Sequence, residues 1–153
     1  MCSENDITTI AFDGTTLAAD RKAAGDGVMN VRKIFKLKRG GYLAGAGYMD
    51  QLVEVARWID AGMKDTENPF THKHGAENET DYLYIDKNGA PYWLTSPWLR
   101  PVRIAEKYVA LGSGGDVAWG AMRAGATPRR AVSIAGERDV YTGSGIDVVK
   151  VKG

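Results

Sequence analysis

Cysteine is almost absent from this sequence. The one at position 2 stands alone among 153 residues, which excludes an internal disulfide and fits a reducing compartment. Histidine is nearly as scarce, His72 and His74 being the only two. With Cys2 remote they cannot complete a zinc site from one chain, and they read as part of a solvated loop. An excess of either charge is missing too: 20 Lys and Arg face 19 Asp and Glu, for a formal net charge of +1. No broad electrostatic pull toward nucleic acid or a membrane surface follows from that. No apolar run approaches the roughly 18 residues of a membrane span. The opening Met1-Cys2-Ser3-Glu4-Asn5-Asp6-Ile7 is too polar and acidic for a secretory signal, so the expected location is cytoplasmic. There is no P-loop pattern, and Gly112-Ser113-Gly114-Gly115 misses the dinucleotide fingerprint because Val117 occupies the third glycine position. No cofactor and no metal are expected.

The residues that are present describe one ordinary globular domain. A hydrophobic fraction of 44% with 25% charged residues can build a core without covalent staples. Thr8 to Asp20 reads as a β-hairpin. Asp13-Gly14 lies between two β-prone runs and suits a type I′ turn, which needs φ > 0 at both central residues. That turn predicts the cross-strand partners Phe12/Thr15, Ile10/Leu17, Thr8/Ala19 and Ile7/Asp20. Arg32 to Leu37 and Tyr42 to Ala46 read as strands joined through Gly40-Gly41. Met49 to Met63 reads as a helix with Leu52, Val55, Ala56, Ile59 and Met63 on its buried stripe. A polar loop over 64–80 precedes a second hairpin, Tyr82 to Asp86 with Pro91 to Leu94. Tyr108 to Leu111 runs as a strand into Gly112-Ser113-Gly114-Gly115 and a helix bearing Val117, Ala118, Ala121 and Met122. Thr127-Pro128 supplies an N-cap and a first-turn proline for a helix reaching about Arg138. Val140 to Thr142 and Ile146 to Val151 close the chain as strands. Hairpins and adjacent helices point to antiparallel sheets covered by helices.

Five segments then carry a resemblance. Thr8-Thr9-Ile10, Ala19-Asp20, Asn30-Val31-Arg32-Lys33-Ile34, Leu111-Gly112-Ser113-Gly114-Gly115 and Arg138-Asp139-Val140-Tyr141-Thr142-Gly143 occur in that order. Together they resemble the proteasome β-subunit and bacterial HslV, threonine peptidases of the N-terminal-nucleophile class. The resemblance implies an α+β fold, a four-layer αββα sandwich of two antiparallel sheets flanked by helices. It implies a leader over residues 1–7, clipped at Ile7-Thr8, and a peptidase domain over residues 8–153. It also implies a ring-shaped homo-oligomer (a stacked double ring), a peptide or unfolded protein as substrate, and an ATP-dependent unfoldase as a partner. The sequence departs from the family in two places. The first hairpin is several residues shorter, and Ile7 stands where proteasome precursors usually place glycine.

The chemistry assigned by the resemblance is coherent. A threonine hydroxyl needs an adjacent base before it attacks. Clipping before Thr8 frees an α-amine, which titrates at about 7.7–8.0 in model peptides and suits that task. Lys33 would favour the neutral amine and stabilise the attacking oxygen, and Asp20 would hold Lys33 charged and oriented. Ser113 and Thr142 would position protons, with Asp139 as an outer anchor. Backbone N–H groups around Ala46 and Gly47 would form an oxyanion hole. Two-residue alternation along the Lys33 strand puts Val31 and Phe35 on the lysine's face, lining a pocket for apolar side chains. Taken one at a time, the same residues also read as an ordinary strand threonine, an Asp20-Arg21 surface ion pair and a solvated basic strand. A non-catalytic ring-forming scaffold and a small-molecule amidase are the alternative functions. The four tryptophans (Trp58, Trp93, Trp98, Trp119) read as core or subunit-contact residues.

Overall fold

A computed structural model describes residues 8–24, 28–46, 49–70, 80–96, 98–139 and 145–151. Its strands are Ile10–Phe12 (β1), Thr16–Asp20 (β2), Lys22–Ala24 (β3), Val28–Asn30 (β4), Ile34–Lys36 (β5), Tyr42–Ala46 (β6), Asp81–Ile85 (β7), Pro91–Thr95 (β8), Val102–Arg103 (β9), Val109–Leu111 (β10) and Ile146–Lys150 (β11). Its α-helices are Met49–Asp60 (α1), Gly115–Arg123 (α2) and Pro128–Arg138 (α3). One sheet has the order β10-β1-β2-β11, a second has β5-β6-β7-β8-β9, and β3 pairs with β4. Every pairing is antiparallel.

Period-two alternation sorts the side chains into three cores and so stacks four layers. Ile10, Phe12, Leu17 and Ala19 of the first sheet meet Ile34, Ala44, Leu83 and Ile85 of the second. The intervening Ala11 and Ala18 face the other way and pack with Ala118, Met122, Ala131, Val132 and Ala135 of α2 and α3. On the far side, Leu43, Tyr82, Tyr84 and Leu94 bury the α1 stripe of Leu52, Val55 and Ile59. The order helix, sheet, sheet, helix is the expected αββα sandwich.

Several expectations hold in detail. Ala56 and Met63 complete the α1 stripe as partly buried neighbours. The helix itself ends at Asp60, because Gly62 turns to φ +110° and the Met63 N–H returns to the Trp58 carbonyl at 3.1 Å. Thr127 caps α3, its hydroxyl accepting the Arg130 N–H at 3.2 Å, with Pro128 in the first turn. The second hairpin closes with Ile85 opposite Pro91, and Asp86 Oδ1 accepts the N–H groups of Asn88 and Ala90, both at 2.9 Å. Trp58 is core, whereas Trp93, Trp98 and Trp119 are exposed.

Other expectations are corrected. The first hairpin pairs Phe12 with Leu17 and Ile10 with Ala19, two residues away from the type I′ register. Within this turn Gly14 alone has a positive φ (+96°), so Gly14-Thr15 forms the turn centre in place of Asp13-Gly14. Asp13 Oδ1 takes the N–H groups of Thr15 and Thr16 at 3.0 and 2.8 Å, and this side-chain capture favours the longer closure. A shift of two leaves every side chain on its expected face. The Lys33 strand is also shorter than expected. Residues 31–33 precede β5, so alternation does not put Val31, Lys33 and Phe35 on one face. Phe35 packs against the α1-side core, and Lys33 reaches the opposite sheet. The β3–β4 pair and the short β9 were not foreseen; strands of two or three residues are too short to show alternation. The expected strand over Val140 to Thr142 lies outside the described residues, as do His72 and His74.

Alanine at positions 11 and 18 lets α2 and α3 lie close to the sheet. Ala18→Leu is expected to overpack that layer and cost about 1–3 kcal/mol of stability. Urea unfolding reads this as a lower midpoint with an unchanged slope. A wild-type midpoint would mean that the helices stand off the sheet.

Candidate active site

The ladder between β1 and β2 continues beyond β1, with the Asp20 N–H donating to the Thr9 carbonyl at 3.2 Å. That brings the Asp20 side chain back beneath Thr8 and Thr9, and all three residues are fully buried. Asp20 Oδ1 accepts the Thr8 hydroxyl at 3.0 Å, the Thr9 N–H at 2.9 Å and the Lys33 ammonium at 2.9 Å. Asp20 Oδ2 accepts the Lys22 N–H at 3.3 Å. A buried carboxylate tolerates its charge only when surrounded by donors in this way. The Asp20-Arg21 ion pair is therefore overturned: Asp20 pairs with Lys33, while Arg21 pairs with Asp147 on β11 at 2.6 Å.

Lys33 arrives from the second sheet. Its carbonyl accepts the Gly45 N–H at 3.4 Å, which carries the β5–β6 pairing one step beyond β5. The side chain crosses to the first sheet with 3% of its surface exposed. Burial depresses the Lys33 pKa and neighbouring Lys22 adds to that, while the carboxylates of Asp20 and Asp139 oppose it. The outcome is an ammonium that gives up its proton more readily than an exposed lysine. It shares one oxygen with the Thr8 hydroxyl.

The other side of Thr8 is held by the turn between β10 and α2. Gly112 has φ +92°, and a Cβ there would lie 2.2 Å from the Thr8 carbonyl oxygen, so only glycine fits. The Thr8 carbonyl accepts the Gly114 N–H at 3.3 Å, and the Thr8 N–H donates to Ser113 Oγ at 3.4 Å. Ser113 Oγ lies 3.2 Å from the Thr8 carbonyl oxygen and 2.5 Å from Asp139 Oδ2. One hydroxyl proton faces two acceptors, and the shorter, charge-assisted contact takes it. Asp139 follows α3, its N–H bonded to the Ala135 carbonyl at 2.8 Å.

Thr8, Asp20, Lys33, Ser113 and Asp139 thus meet in one connected network. Val31 is half-buried, with its N–H on the Arg21 carbonyl at 2.8 Å, and Ala46 ends β6 opposite Asp81. Ile7, Gly47 and Thr142 lie outside the described residues. Sequence reasoning missed the backbone N–H groups of Thr9 and Lys22, which carry no residue-type signal. It also missed the close approach of Gly112 to Thr8, for which a glycine directly after a strand was the available sign. Among the described residues, no three His, Cys, Asp or Glu side chains gather as metal ligands, and no helix is long and apolar enough to cross a membrane.

No protein-family model matches the chain. Proteasome subunit beta 1 of Thermococcus onnurineus (strain NA1) is 29% identical over 179 aligned positions, covering 95% of this chain and 86% of that protein. Proteasome subunit beta 2 of Pyrococcus abyssi (strain GE5 / Orsay) is 30% identical over 175 positions, covering 95% of this chain and 84% of that protein. The chain belongs to the proteasome β-subunit family. BPH of Thiobacillus denitrificans shares the fold of this proteasome β-type chain. Its structure superposes with a TM-score of 0.68 at 20% identity, over 95% of this chain and 98% of that one. Its complex with epoxomicin gives a TM-score of 0.67 at 20% identity, over 95% and 99%. The fold is that of the N-terminal-nucleophile hydrolases, and the proteasome β family is one of threonine proteases.

Two outcomes test the site geometry. Gly112→Ala is expected to push the Thr8 carbonyl away and to lower the unfolding midpoint; an unchanged midpoint would show that the turn yields without cost. Lys33 is expected to titrate below the 10.5 of a free lysine. Between the two values the unfolded chain binds the extra proton, so stability rises as pH climbs through the folded pKa toward 10.5. A carbon NMR titration of the Lys33 side chain reads the midpoint directly, and a value at or above 10.5 contradicts burial as the controlling influence.

Proposed function

We propose that this protein is a threonine endopeptidase that clips its own Ile7–Thr8 bond and then cleaves peptides with Thr8. The observation that carries this reading is the shared acceptor: the Thr8 hydroxyl and the Lys33 ammonium both bond Asp20 Oδ1, at 3.0 and 2.9 Å. Hydroxyl, cation and carboxylate are the three groups that the chemistry requires, and they come from two different sheets.

In clipping, Thr8 Oγ attacks the Ile7 carbonyl carbon, and the C–N bond breaks as its nitrogen takes up a proton. Water hydrolyses the resulting ester, releasing residues 1–7 and a free Thr8 amine. In turnover, that amine accepts the hydroxyl proton as Oγ attacks the scissile carbonyl. The proton passes to the leaving nitrogen, and water hydrolyses the acyl-enzyme. Lys33 stabilises negative charge on the attacking oxygen and favours the neutral amine. Asp20 orients Lys33, and Ser113, anchored by Asp139, holds the Thr8 nitrogen. The family resemblance gives Thr142 a proton-positioning role and gives N–H groups around Ala46 and Gly47 the task of receiving the oxyanion. Val31, two residues before Lys33, remains a candidate for lining the substrate pocket on position alone, whereas Phe35 packs toward α1.

The relatives are named as proteasome subunits, and this supports a ring-shaped homo-oligomer, stacked in pairs, that accepts unfolded protein and works with an ATP-dependent unfoldase. Exposed Trp93, Trp98 and Trp119 give such a ring apolar surface to bury. Intact mass is the deciding measurement. The purified protein is expected to lack residues 1–7, and Thr8→Ala is expected to keep them and to hydrolyse no peptide. Wild-type protein that cleaves peptides with its leader intact refutes the mechanism. Epoxomicin, the ligand in the structural neighbour, is expected to add its mass to the wild type and not to Thr8→Ala. A clipped protein that sediments as a monomer would remove the ring.

A further inference from the structure

Arg21 follows the buried carboxylate directly and is tied down at both its backbone groups and its guanidinium. Its N–H donates to the Gly145 carbonyl at 3.1 Å, and its own carbonyl accepts the Val31 N–H at 2.8 Å. Its guanidinium reaches across β11 to Asp147 Oδ1, with Nε at 2.8 Å and a terminal nitrogen at 2.6 Å. One residue therefore touches the end of β2, the start of β11 and the segment leading to Lys33. The other carboxylate oxygen, Asp147 Oδ2, is buried with no hydrogen-bond partner among the described residues. Asp147 thus accepts burial of half its carboxylate in order to hold Arg21.

We propose that the Arg21–Asp147 pair is a positioning strap that fixes Asp20 and the Val31–Lys33 segment relative to the last strand. Arg21 touches no reacting atom; it acts through its two neighbours in the network. The side chains are 45% and 19% exposed, so water screens the pair mainly at the guanidinium. Loss of the strap is expected to appear in catalysis beyond whatever stability is lost by leaving Asp147 unpaired. The charged groups that act on Lys33 are Asp20, Asp139 and Lys22. Of these, Asp20 and Lys22 flank Arg21 in sequence, so a loosened Arg21 changes the field at the ammonium.

This inference rests on the peptidase reading for its kinetic test. In the full-length protein, Arg21→Gln and Asp147→Asn are each expected to lower kcat on a fluorogenic peptide about tenfold, with KM within about twofold. The charge-swapped double variant, Arg21→Asp with Asp147→Arg, is expected to recover kcat to within about threefold of wild type. Should that variant fail to fold, Arg21→Lys takes its place and is held to the same threefold limit. Unchanged kcat in the single variants overturns the strap, and so does a loss that neither the swap nor Arg21→Lys recovers. If the wild type shows no Thr8-dependent hydrolysis, the peptidase reading fails, and the Lys33 NMR midpoint then decides the strap alone. A shift of about half a unit in Arg21→Gln, reversed by the swap or by Arg21→Lys, supports it. An unmoved midpoint, or a shift that neither variant reverses, overturns it.

Discussion

Asp20 has no exposed surface, and one of its oxygens serves an ammonium, a hydroxyl and a backbone amide together. Taking a carboxylate and an ammonium out of water costs several kcal/mol per ion, by order of magnitude about what their mutual attraction returns. The pair is therefore not a stabilising ornament of the core. Removing either partner alone leaves an uncompensated buried charge, at a cost of about 3–5 kcal/mol. The contact joins the two sheets at the place where Thr8 enters, so the position of the Thr8 hydroxyl and the docking of the sheets are one constraint.

The sandwich makes that constraint possible through the sizes of its side chains. The space between the sheets is filled by large residues such as Ile10, Phe12, Leu83 and Ile85, which set the separation that Lys33 must span. On the helix-facing side the first sheet carries Ala11 and Ala18. Their small size lets α2 and α3 lie close, with Ser113 against the Thr8 backbone and Asp139, after α3, behind Ser113. A bulkier face would move both residues outward and leave Thr8 held from one side alone.

Much of this was readable in the chain. The α1 stripe, the Thr127-Pro128 start of α3, the Gly40-Gly41 turn and the antiparallel class follow from periodicity and turn chemistry, which are local. Thr8, Asp20, Lys33, Ser113 and Asp139 were picked out by resemblance, and the structure brings these five together. What was illegible depended on geometry that no residue type encodes. The first hairpin shifted by two because Asp13 spent its side chain on two backbone amides. Regular β5 starts only after Lys33, whose side chain goes to Asp20 in the other sheet. Arg21 chose Asp147, more than a hundred positions away in sequence, over the carboxylate beside it.

The pairing of β1 with β10, and of β2 with β11, places strands from opposite ends of the chain side by side. Such non-local ladders form late, since the intervening loop entropy must be overcome before any contact returns it. During synthesis the first hairpin leaves the ribosome without either neighbour, and Thr8 lacks Ser113 and Gly114 until the β10–α2 turn has been made. A nascent chain consequently holds Thr8 without the groups that seat it. The order of translation therefore leaves the buried network around Thr8 unassembled until the C-terminal part of the chain has been made.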